Sequence, residues 1–244
     1  MKLLIYGSNG WIGSQFIQYL LSDKPLKEFN LKKKDKIKDL VIYKGNSRLN
    51  DLEEVKKEIN FIKPDNIISF IGRTHGKIGD KEFTTIDYLE QEGKIYENIR
   101  DNLYSPLSLS LLCKELDIHY TYLGTGCIFD YINPENPIGF KDSDKPNFFG
   151  SSYSIVKGFT DMLMHQLESN VLNLRIRMPI NSEKNSRNFI YKITHYEKIC
   201  SIPNSMTVLP DFFPIILDLI LNKTTGTLNL TNPGLISHNE ILEM

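Results

Sequence analysis

Short apolar runs alternate along this chain with segments in which apolar residues recur at helical spacing. The apolar runs, which are the candidate strands, cover residues 3–6, 40–43, 66–71, 119–123, 172–178 and 227–230. Helical spacing links Ile12, Phe16, Ile17, Leu20 and Leu21, and again Leu52, Val55 and Ile59. Strands that alternate with helices are typical of a parallel sheet covered by helices on both faces. The pattern therefore predicts an α/β fold with a doubly wound parallel sheet.

The candidate strand at residues 172–178 shows the clearest period of two. Leu172, Leu174, Ile176 and Met178 share one face, and Asn173, Arg175 and Arg177 share the other. Pro179 then ends the regular alternation, since proline cannot donate to a sheet.

Beyond Pro179 the chain is richer in polar and aromatic residues and its spacing is less regular. We therefore predict a core domain over residues 1–178 and a smaller lobe over residues 179–244, with a strand near 227–230 returning to the sheet. Such a lobe would cover the carboxyl edge of the sheet, where ligands bind in folds of this kind. Residues 237–244 resemble an N-capped helix that has only begun, as expected of a shortened chain.

Composition narrows the functional classes. The 244 residues are 41% hydrophobic and 24% charged, as in ordinary globular enzymes, and the net charge of -1 argues against a nucleic-acid partner. Residues 32–38 form the one basic cluster, which we expect to be a solvated loop before a strand. No segment approaches the ~18 apolar residues of a membrane span. Three cysteines without a secretory signal predict free thiols and a cytoplasmic location.

The segment after the first candidate strand carries the first chemical signal. Gly7, Gly10 and Gly13 lie three residues apart, directly after a strand and at the start of a helix. This spacing permits a tight turn, lets a pyrophosphate approach the backbone and lets the helix pack closely on the strand. The helix N-terminus adds free amides and a positive dipole end. We expect a dinucleotide there, held by residues 7 and 9–13, namely Gly7, Asn9, Gly10, Trp11, Ile12 and Gly13.

The second candidate strand bears on the kind of dinucleotide. Sites that prefer NAD carry an acidic residue at the end of this strand, which holds the ribose hydroxyls. Here Lys44 and Arg48 follow instead. The bases favour the 2'-phosphate of NADPH, contacted by Arg48, while NADH stays an alternative in which Arg48 is a surface residue.

Tyr153 and Lys157 carry the second chemical signal. They are four residues apart, so on a helix they lie on one face, one turn apart. A nearby ammonium favours tyrosinate and makes the phenol a better proton donor at neutral pH. Thr125 adds a hydroxyl at the end of an upstream strand. With the glycine turn, these residues predict a reductase that uses a nicotinamide cofactor.

Several longer stretches then resemble a known family, the extended short-chain dehydrogenases/reductases, and within it the UDP-4-keto-6-deoxyglucose 3,5-epimerase/4-reductases of UDP-rhamnose synthesis. These stretches are residues 6–7, 10–13 (GWIG), 125–129 (TGCIF), 139–141, 146–148, 152–154, 175–180 (RIRMPI), 187–190 (RNFI), 202–207 (IPNSMT) and 231–243. The resemblance runs nearly from end to end. It implies a Rossmann-type fold with a small C-terminal substrate lobe and a bifunctional enzyme with both epimerase and reductase activity.

The resemblance also implies roles for single residues. Cys127 would be the base that inverts C3 and C5, and Lys192 the acid on the opposite face, with His195 as the alternative acid. Further residues implied on the cofactor side are Gly72 and Asn102, the latter like the asparagine that supports the active-site lysine. Residues implied on the substrate side are Thr74, Arg187, Asn188 and Asn204.

Two departures from the family pattern stand out. The asparagine that often precedes Gly72 by two or three residues is missing, and the chain stops at Met244 where the family continues. The sequence leaves open whether the nucleotide is UDP or dTDP. Two rival functions also stay open, a reductase without epimerase activity and a regulatory subunit that binds NADP. As partners we expect a nucleotide sugar and an upstream 4,6-dehydratase, with a homodimer as an open possibility and no metal.

Overall fold

The computed structural model describes residues 1–130 and 139–244, with Leu31 described by its backbone only. In chain order the strands are β1 (Lys2–Tyr6), β2 (Val41–Lys44), β3 (Asn66–Ser69), β4 (Gly76–Ile78), β5 (Lys81–Phe83), β6 (His119–Thr125), β7 (Val171–Ile176), β8 (Pro179–Ile180), β9 (Thr207–Val208) and β10 (Gly226–Asn229). The helices are α1 (Trp11–Leu21), α2 (Lys24–Glu28), α3 (Leu31–Lys38), α4 (Leu52–Ile62), α5 (Ile95–Ile99), α6 (Ser105–Glu115), α7 (Ser152–His165), α8 (Phe189–Ile193), α9 (Leu209–Leu221) and α10 (His238–Glu243). A 3-10 turn (Ile86–Tyr88) precedes α5, and a π-helical turn (Arg100–Tyr104) joins α5 to α6.

Six parallel strands form the central sheet, in the order β10-β7-β6-β3-β1-β2. These six strands match the six candidate strands, so the predicted doubly wound α/β fold is confirmed. Strands β2 and β3 lie on opposite sides of β1, and the winding therefore reverses at β1. This reversal brings the turns that follow β1 and β3 side by side at the carboxyl edge.

Both faces of the sheet are buried. Leu3 and Ile5 of β1 belong to an apolar cluster with α1 and α9, while Leu4 and Tyr6 belong to a second cluster with α4 and α6. Burial on both faces is why the strands appear in the sequence as continuous apolar runs. Among the described residues, no helix combines the length and the hydrophobicity that crossing a membrane requires.

The polar face of β7 is buried as well. Asn173 and Arg175 lie against α7, where both donate hydrogen bonds to the Asp161 carboxylate. Arg175 is only 1% exposed, and its Nε and Nη2 atoms lie 2.9 and 2.7 Å from the two oxygens of Asp161. A buried charge needs such a partner, so the alternation of this strand separates two buried environments.

Above the carboxyl edge lies a group of short elements. Strands β8 and β9 pair in parallel there, beside α8 and α10, over a small cluster that includes Phe189, Ile193 and Met206. The predicted N-capped helix near the end is α10, which Ser237 and Glu240 cap reciprocally. Helix α9 and strand β10 pack in the layers of the main sheet. The division of the chain after residue 178 stays a prediction.

The expectation for the basic cluster at residues 32–38 was wrong, because this segment is helix α3. The Asn30 side chain accepts a hydrogen bond from the Lys33 amide and so caps the helix. Lysine itself is a good helix former, and Ile37 provides a buried anchor. The Lys33 ammonium forms an ion pair with Asp218 of α9.

Candidate active site

The glycine turn after β1 has a backbone that only glycine fits. Gly7 has φ +73°, and a Cβ there would lie 2.9 Å from the Phe70 carbonyl carbon. A Cβ at Gly13 would lie 2.3 Å from the Gly7 oxygen. The Gly10 amide donates to the same oxygen at 3.0 Å. The turn thus packs α1 tightly against both β1 and the segment after β3.

This turn borders a cleft of about 220 Å³ at the carboxyl edge. Its lining consists of Gly7, Gly10, Phe70, Ile71, Gly72, Arg73, His75 and Asp101. Helix α1 begins at Trp11, and its N-cap, Gly10, provides no side-chain cap; the first turn also holds no acidic residue. Such an uncapped N-terminus suits an anion, so these residues fit a dinucleotide pyrophosphate. Trp11 and Ile12 pack against the apolar core, and Asn9 is exposed.

Asn102 is buried behind the Gly72-Arg73 segment that lines this cleft. Its Oδ1 atom accepts from the Arg73 amide and its Nδ2 atom donates to the Arg73 carbonyl, each at 2.9 Å. The side chain therefore clamps the Gly72-Arg73 backbone. No hydrogen bond to Lys157 is present among the described residues, and the support that the resemblance implied is indirect, because the Asn102 carbonyl accepts from Thr160, which lies on the helix that carries Lys157.

Arg48 lies beside a second cleft, of about 390 Å³, past the end of β2. The cleft is lined by Asn46, Ser47, Arg48, Asn50, Asp51 and Glu54. Arg48 is exposed, whereas Asp51 accepts from the Glu54 amide and caps α4. The amides of Asn46 and Ser47 donate to Glu58. The cleft thus places the exposed guanidinium of Arg48 near two carboxylates, those of Asp51 and Glu54.

Helix α7 carries Tyr153 and Lys157, and both are buried, at 7% and 4% exposure. Ser151 caps the helix by accepting from the Ser154 amide. Glu90, which the sequence analysis missed, accepts from the amides of Ser152 and Tyr153 at 2.9 and 3.2 Å. A carboxylate at a helix N-terminus interacts favourably with the helix dipole, so Glu90 stabilises the first turn of α7.

The local charges set how these two groups titrate. Burial, followed by Cys127, raises the pKa of Tyr153 above its ordinary value, and a hydrogen bond with Thr125 and the nearby Arg177 guanidinium offset only part of this rise. Burial also lowers the pKa of Lys157 to about 8. The Lys157 ammonium hydrogen-bonds the Tyr122 hydroxyl and lies 4.6 Å from that ring's centre.

Thr125 and Cys127 lie at and just past the end of β6. The Cys127 amide donates to the Thr125 hydroxyl at 3.1 Å, and the Cys127 carbonyl accepts from the Ser154 hydroxyl at 2.7 Å. Cys127 also packs in one small apolar cluster with Tyr153. Three of the predicted catalytic residues are therefore joined by short contacts.

Arg177 enters the same site and was not among the predicted site residues. Its Nη1 atom donates to Cys127 Sγ at 3.0 Å, and its Nη2 atom donates to Asn204 Oδ1 at 2.9 Å. Two sequence signals included it, the polar face of the candidate strand at residues 172–178 and the stretch 175–180 (RIRMPI) that resembles the family. Periodicity alone could not give its partner, since 50 residues separate it from Cys127.

Helix α8 carries Lys192, which lies within electrostatic range of Cys127. Burial and the Arg187 guanidinium lower the pKa of Lys192, whereas Cys127 raises it. His195, the alternative acid, is exposed, and its ring stacks on Tyr191 and contacts the Tyr191 carbonyl.

His75 lies near three positively charged side chains, those of Arg187, Arg73 and Lys192. Burial, followed by Arg187, Arg73 and Lys192, lowers the pKa of His75 to about 4, so its ring is neutral at pH 7. Thr74 precedes it, with its hydroxyl 3.4 Å from His75 Nδ1.

The residues predicted to contact substrate fall into two groups. Thr74, Arg187 and Asn204 border the site, and Asn204 already holds Arg177. Asn188 is different, because it is only 3% exposed. Its Oδ1 atom caps α8, and its Nδ2 atom donates to Asn181 and Glu183. In this structure Asn188 thus supports α8, which carries Lys192, and its predicted contact with substrate stays a prediction.

A doubly wound sheet, a glycine turn at its reversal point and a Thr-Tyr-Lys set above its carboxyl edge define an extended short-chain dehydrogenase/reductase. Comparison with known proteins narrows this class. The chain is 53% identical over 246 residues to the L780 protein of Acanthamoeba polyphaga mimivirus, covering 100% of this chain and 78% of that protein. It is 39% identical to the bifunctional dTDP-4-dehydrorhamnose 3,5-epimerase/dTDP-4-dehydrorhamnose reductase of Arabidopsis thaliana, covering 74% of that protein. No protein-family model matches the chain.

Longer relatives and solved structures agree. A trifunctional UDP-glucose 4,6-dehydratase/UDP-4-keto-6-deoxy-D-glucose 3,5-epimerase/UDP-4-keto-L-rhamnose-reductase of Arabidopsis thaliana is 40% identical, and the chain spans 33% of it. The crystal structure of the L780 UDP-rhamnose synthase matches with a TM-score of 0.87 over 100% of this chain and 79% of that one. A Bacillus anthracis dTDP-4-dehydrorhamnose reductase shares the fold at 19% identity, with a TM-score of 0.71 over 99% of this chain and 80% of that one. The chain belongs to the family of rhamnose-forming epimerase-reductases.

Proposed function

We propose that this chain converts UDP-4-keto-6-deoxy-D-glucose to UDP-L-rhamnose by 3,5-epimerisation and then reduction at C4. One observation carries the proposal: Cys127 shares a site with the Thr125, Tyr153 and Lys157 set. A reductase alone has no use for a thiol at this point. The assignment to this substrate rests on the family, since L780 is named a UDP-rhamnose synthase.

The order of the two reactions follows from acidity. The 4-ketone acidifies the protons on C3 and C5, because the negative charge left behind spreads onto the carbonyl oxygen. Once C4 is an alcohol, these protons are no longer acidic. Epimerisation therefore precedes reduction, and the two reactions use the same bound ketone.

In the epimerisation, the Cys127 thiolate takes the proton from C3 or C5 and becomes a thiol, leaving an enolate. The Lys192 ammonium then returns a proton to the opposite face of that carbon and becomes an amine. Proton exchange with solvent resets both groups, so solvent hydrogen enters the sugar. The lowered pKa of Lys192 supports this role, since an acid works best when its pKa lies near the working pH.

In the reduction, the Tyr153 hydroxyl gives its proton to the oxygen on C4, while Thr125 donates a hydrogen bond to that oxygen and Lys157 supplies positive charge. When bound, NADPH supplies the hydride that C4 receives. The glycine turn, Gly72 and the Asn102 clamp would hold this cofactor, with Arg48 at the 2'-phosphate, and NADH is the alternative. The uncapped N-terminus of α1 supports a phosphate there.

The remaining assignments follow the same family. Thr74, Arg187 and Asn204 would contact the nucleotide sugar, and either UDP or dTDP would suit them. The substrate has to come from a 4,6-dehydratase, an activity that the trifunctional relatives carry in their name. A cytoplasmic location and a homodimer stay predictions.

The proposal is tested by following both reactions at once in D₂O with NADPH and the 4-keto sugar. Cys127→Ser should lose deuterium uptake at C3 and C5 while still reducing the pre-epimerised sugar. Tyr153→Phe is the matched reverse case and should lower reduction by about 10²–10⁴-fold while deuterium uptake continues. Deuterium uptake retained in Cys127→Ser would show that Cys127 is not the base. If the unaltered chain consumed no NADPH, the reductase activity would be disproved and the rival function, a regulatory subunit that binds NADP, would be favoured.

A further inference from the structure

The guanidinium of Arg177 is held in one orientation by two partners. Nη1 donates to Cys127 Sγ at 3.0 Å and Nη2 donates to Asn204 Oδ1 at 2.9 Å. Arginine is charged at every relevant pH and can only donate. The sulfur of Cys127 therefore accepts a hydrogen bond from a permanent cation.

The backbone of Arg177 is fixed as firmly as its side chain. Its amide donates to Thr207 Oγ1 at 2.9 Å, and its carbonyl accepts from the Thr207 amide at 2.8 Å. A Cβ built on Gly126 would lie 3.4 Å from Arg177 Cδ, so the aliphatic stem runs directly alongside the residue that precedes Cys127. The contact with the sulfur is thus part of a rigid strand end.

The partners of the Arg177 guanidinium differ from those of Arg175. In residues 1–130 and 139–244 no carboxylate lies within ion-pair distance of it, and Asn204 is a neutral acceptor. Arg175, two residues earlier on the same face, is neutralised by Asp161. The charge of Arg177 is therefore available to Cys127.

We propose that Arg177 is a positioning residue for epimerisation, whose guanidinium orients the Cys127 sulfur in the site and stabilises negative charge on that sulfur. This inference rests on the proposed function, in which Cys127 is the base. A neutral thiol is a weak acceptor, whereas a thiolate accepts strongly from a charged donor. The contact accordingly stabilises the charge that the sulfur carries when it acts as a base.

Other titratable groups also face Cys127, but in the described part of the chain Arg177 alone donates a hydrogen bond to its sulfur. Tyr153 and Lys157 approach from α7, Lys192 from α8 and Tyr196 from the segment after α8. In the proposed cycle Lys192 gives up its proton in the step that follows proton removal by Cys127. Arg177 keeps its charge throughout, so it favours the thiolate at the start of every cycle.

The test measures the reactivity of Cys127 without any substrate. A Cys200→Ser background removes the exposed thiol, and Cys113 is fully buried. The rate of Cys127 alkylation by iodoacetamide, read by mass spectrometry from pH 5 to 10, then reports the thiolate fraction. Arg177→Met should slow alkylation about tenfold at pH 7 and move the profile to higher pH, while Arg177→Lys should restore part of the rate. An unchanged rate and profile in Arg177→Met overturns the inference.

A second variant covers the case in which Arg177→Met does not fold. Asn204→Ala keeps the charge but frees the guanidinium, and it should slow alkylation by a smaller factor, about two- to fivefold. Failure of the proposed function would look different. Deuterium uptake retained in Cys127→Ser disproves the assignment of Cys127 as the base. Uptake that is lost in Cys127→Ser but is unchanged in the Arg177 and Asn204 variants disproves only the role of Arg177.

Discussion

Arg175 and Arg177 lie two residues apart on the same face of one chain segment, yet their surroundings differ. Arg175 is enclosed by the Asp161 carboxylate, by backbone carbonyls of residues 141, 142 and 144, and by His165. Arg177 meets a sulfur and an amide oxygen. The first arginine ties β7, α7 and the segment around residue 142 together, and the second faces the reacting groups.

The comparison indicates that the partner of a buried arginine, and not the residue type, decides whether its charge serves structure or chemistry. A buried ion pair with every donor satisfied holds structure, and removing one half of it is costly. A charge that lacks a counter-ion instead acts on whatever group lies next to it. On this view the Arg175 side is structural and the Arg177 side is chemical, and the two sides can be tested against each other.

The largest difference should appear in stability. Arg175→Met leaves the Asp161 carboxylate buried without its cation, so the free energy of unfolding should fall by about 3–5 kcal/mol. Arg177→Met loses hydrogen bonds only and should cost less than about 2 kcal/mol. Urea unfolding at pH 7, followed by circular dichroism, compares the two variants.

A double variant provides the control for this measurement. Arg175→Met together with Asp161→Leu removes both charges and should recover most of the lost stability, because an apolar pair can replace a buried ion pair. Equal losses in Arg175→Met and Arg177→Met would end the distinction between the two sides.

The acid stability of the protein should come in part from the Arg175 side. Burial opposes the charge of Asp161, but hydrogen bonds from Arg175 and His165 hold its pKa at about 2, below the ordinary 3.8. Since the folded-state pKa is depressed, this stability is present above pH 3.8 and is lost as the pH falls towards 2. It amounts to about 2 kcal/mol. In Asp161→Asn the free energy of unfolding should therefore fall less steeply between pH 4 and pH 2. Asp80→Asn, at an exposed loop position, should leave this dependence unchanged. An equally steep fall in both variants would contradict the assignment.

Much of the fold could be predicted, because strands buried on both faces are continuous apolar runs and the helices between them carry apolar stripes. The glycine turn could be predicted too, since its backbone at Gly7 admits no side chain. Helix α3 was missed because its cap, Asn30, and its buried residue Ile37 are weak signals within a lysine-rich segment.

The site was less predictable, because its contacts join residues far apart in the chain. Glu90 reaches the start of α7 across 62 residues, and Arg177 reaches Cys127 across 50. No local period records either pair. Asn188 shows the opposite case, since a polar residue with a specific family match has a local structural use as a helix cap.

The smallest predicted effect tests whether Asp161, the partner of Arg175, also influences the protonation of Lys157. Burial lowers the pKa of Lys157 to about 8, while Asp161, one turn later on α7, raises it. Above pH 8 Lys157 loses its ammonium, so kcat/KM for reduction of the pre-epimerised sugar should fall about tenfold per pH unit. Asp161→Asn, assayed where it is still folded, should move this alkaline limb to lower pH, and Lys157→Met should abolish it. A limb that stays in place in Asp161→Asn would confine Asp161 and Arg175 to a purely structural role.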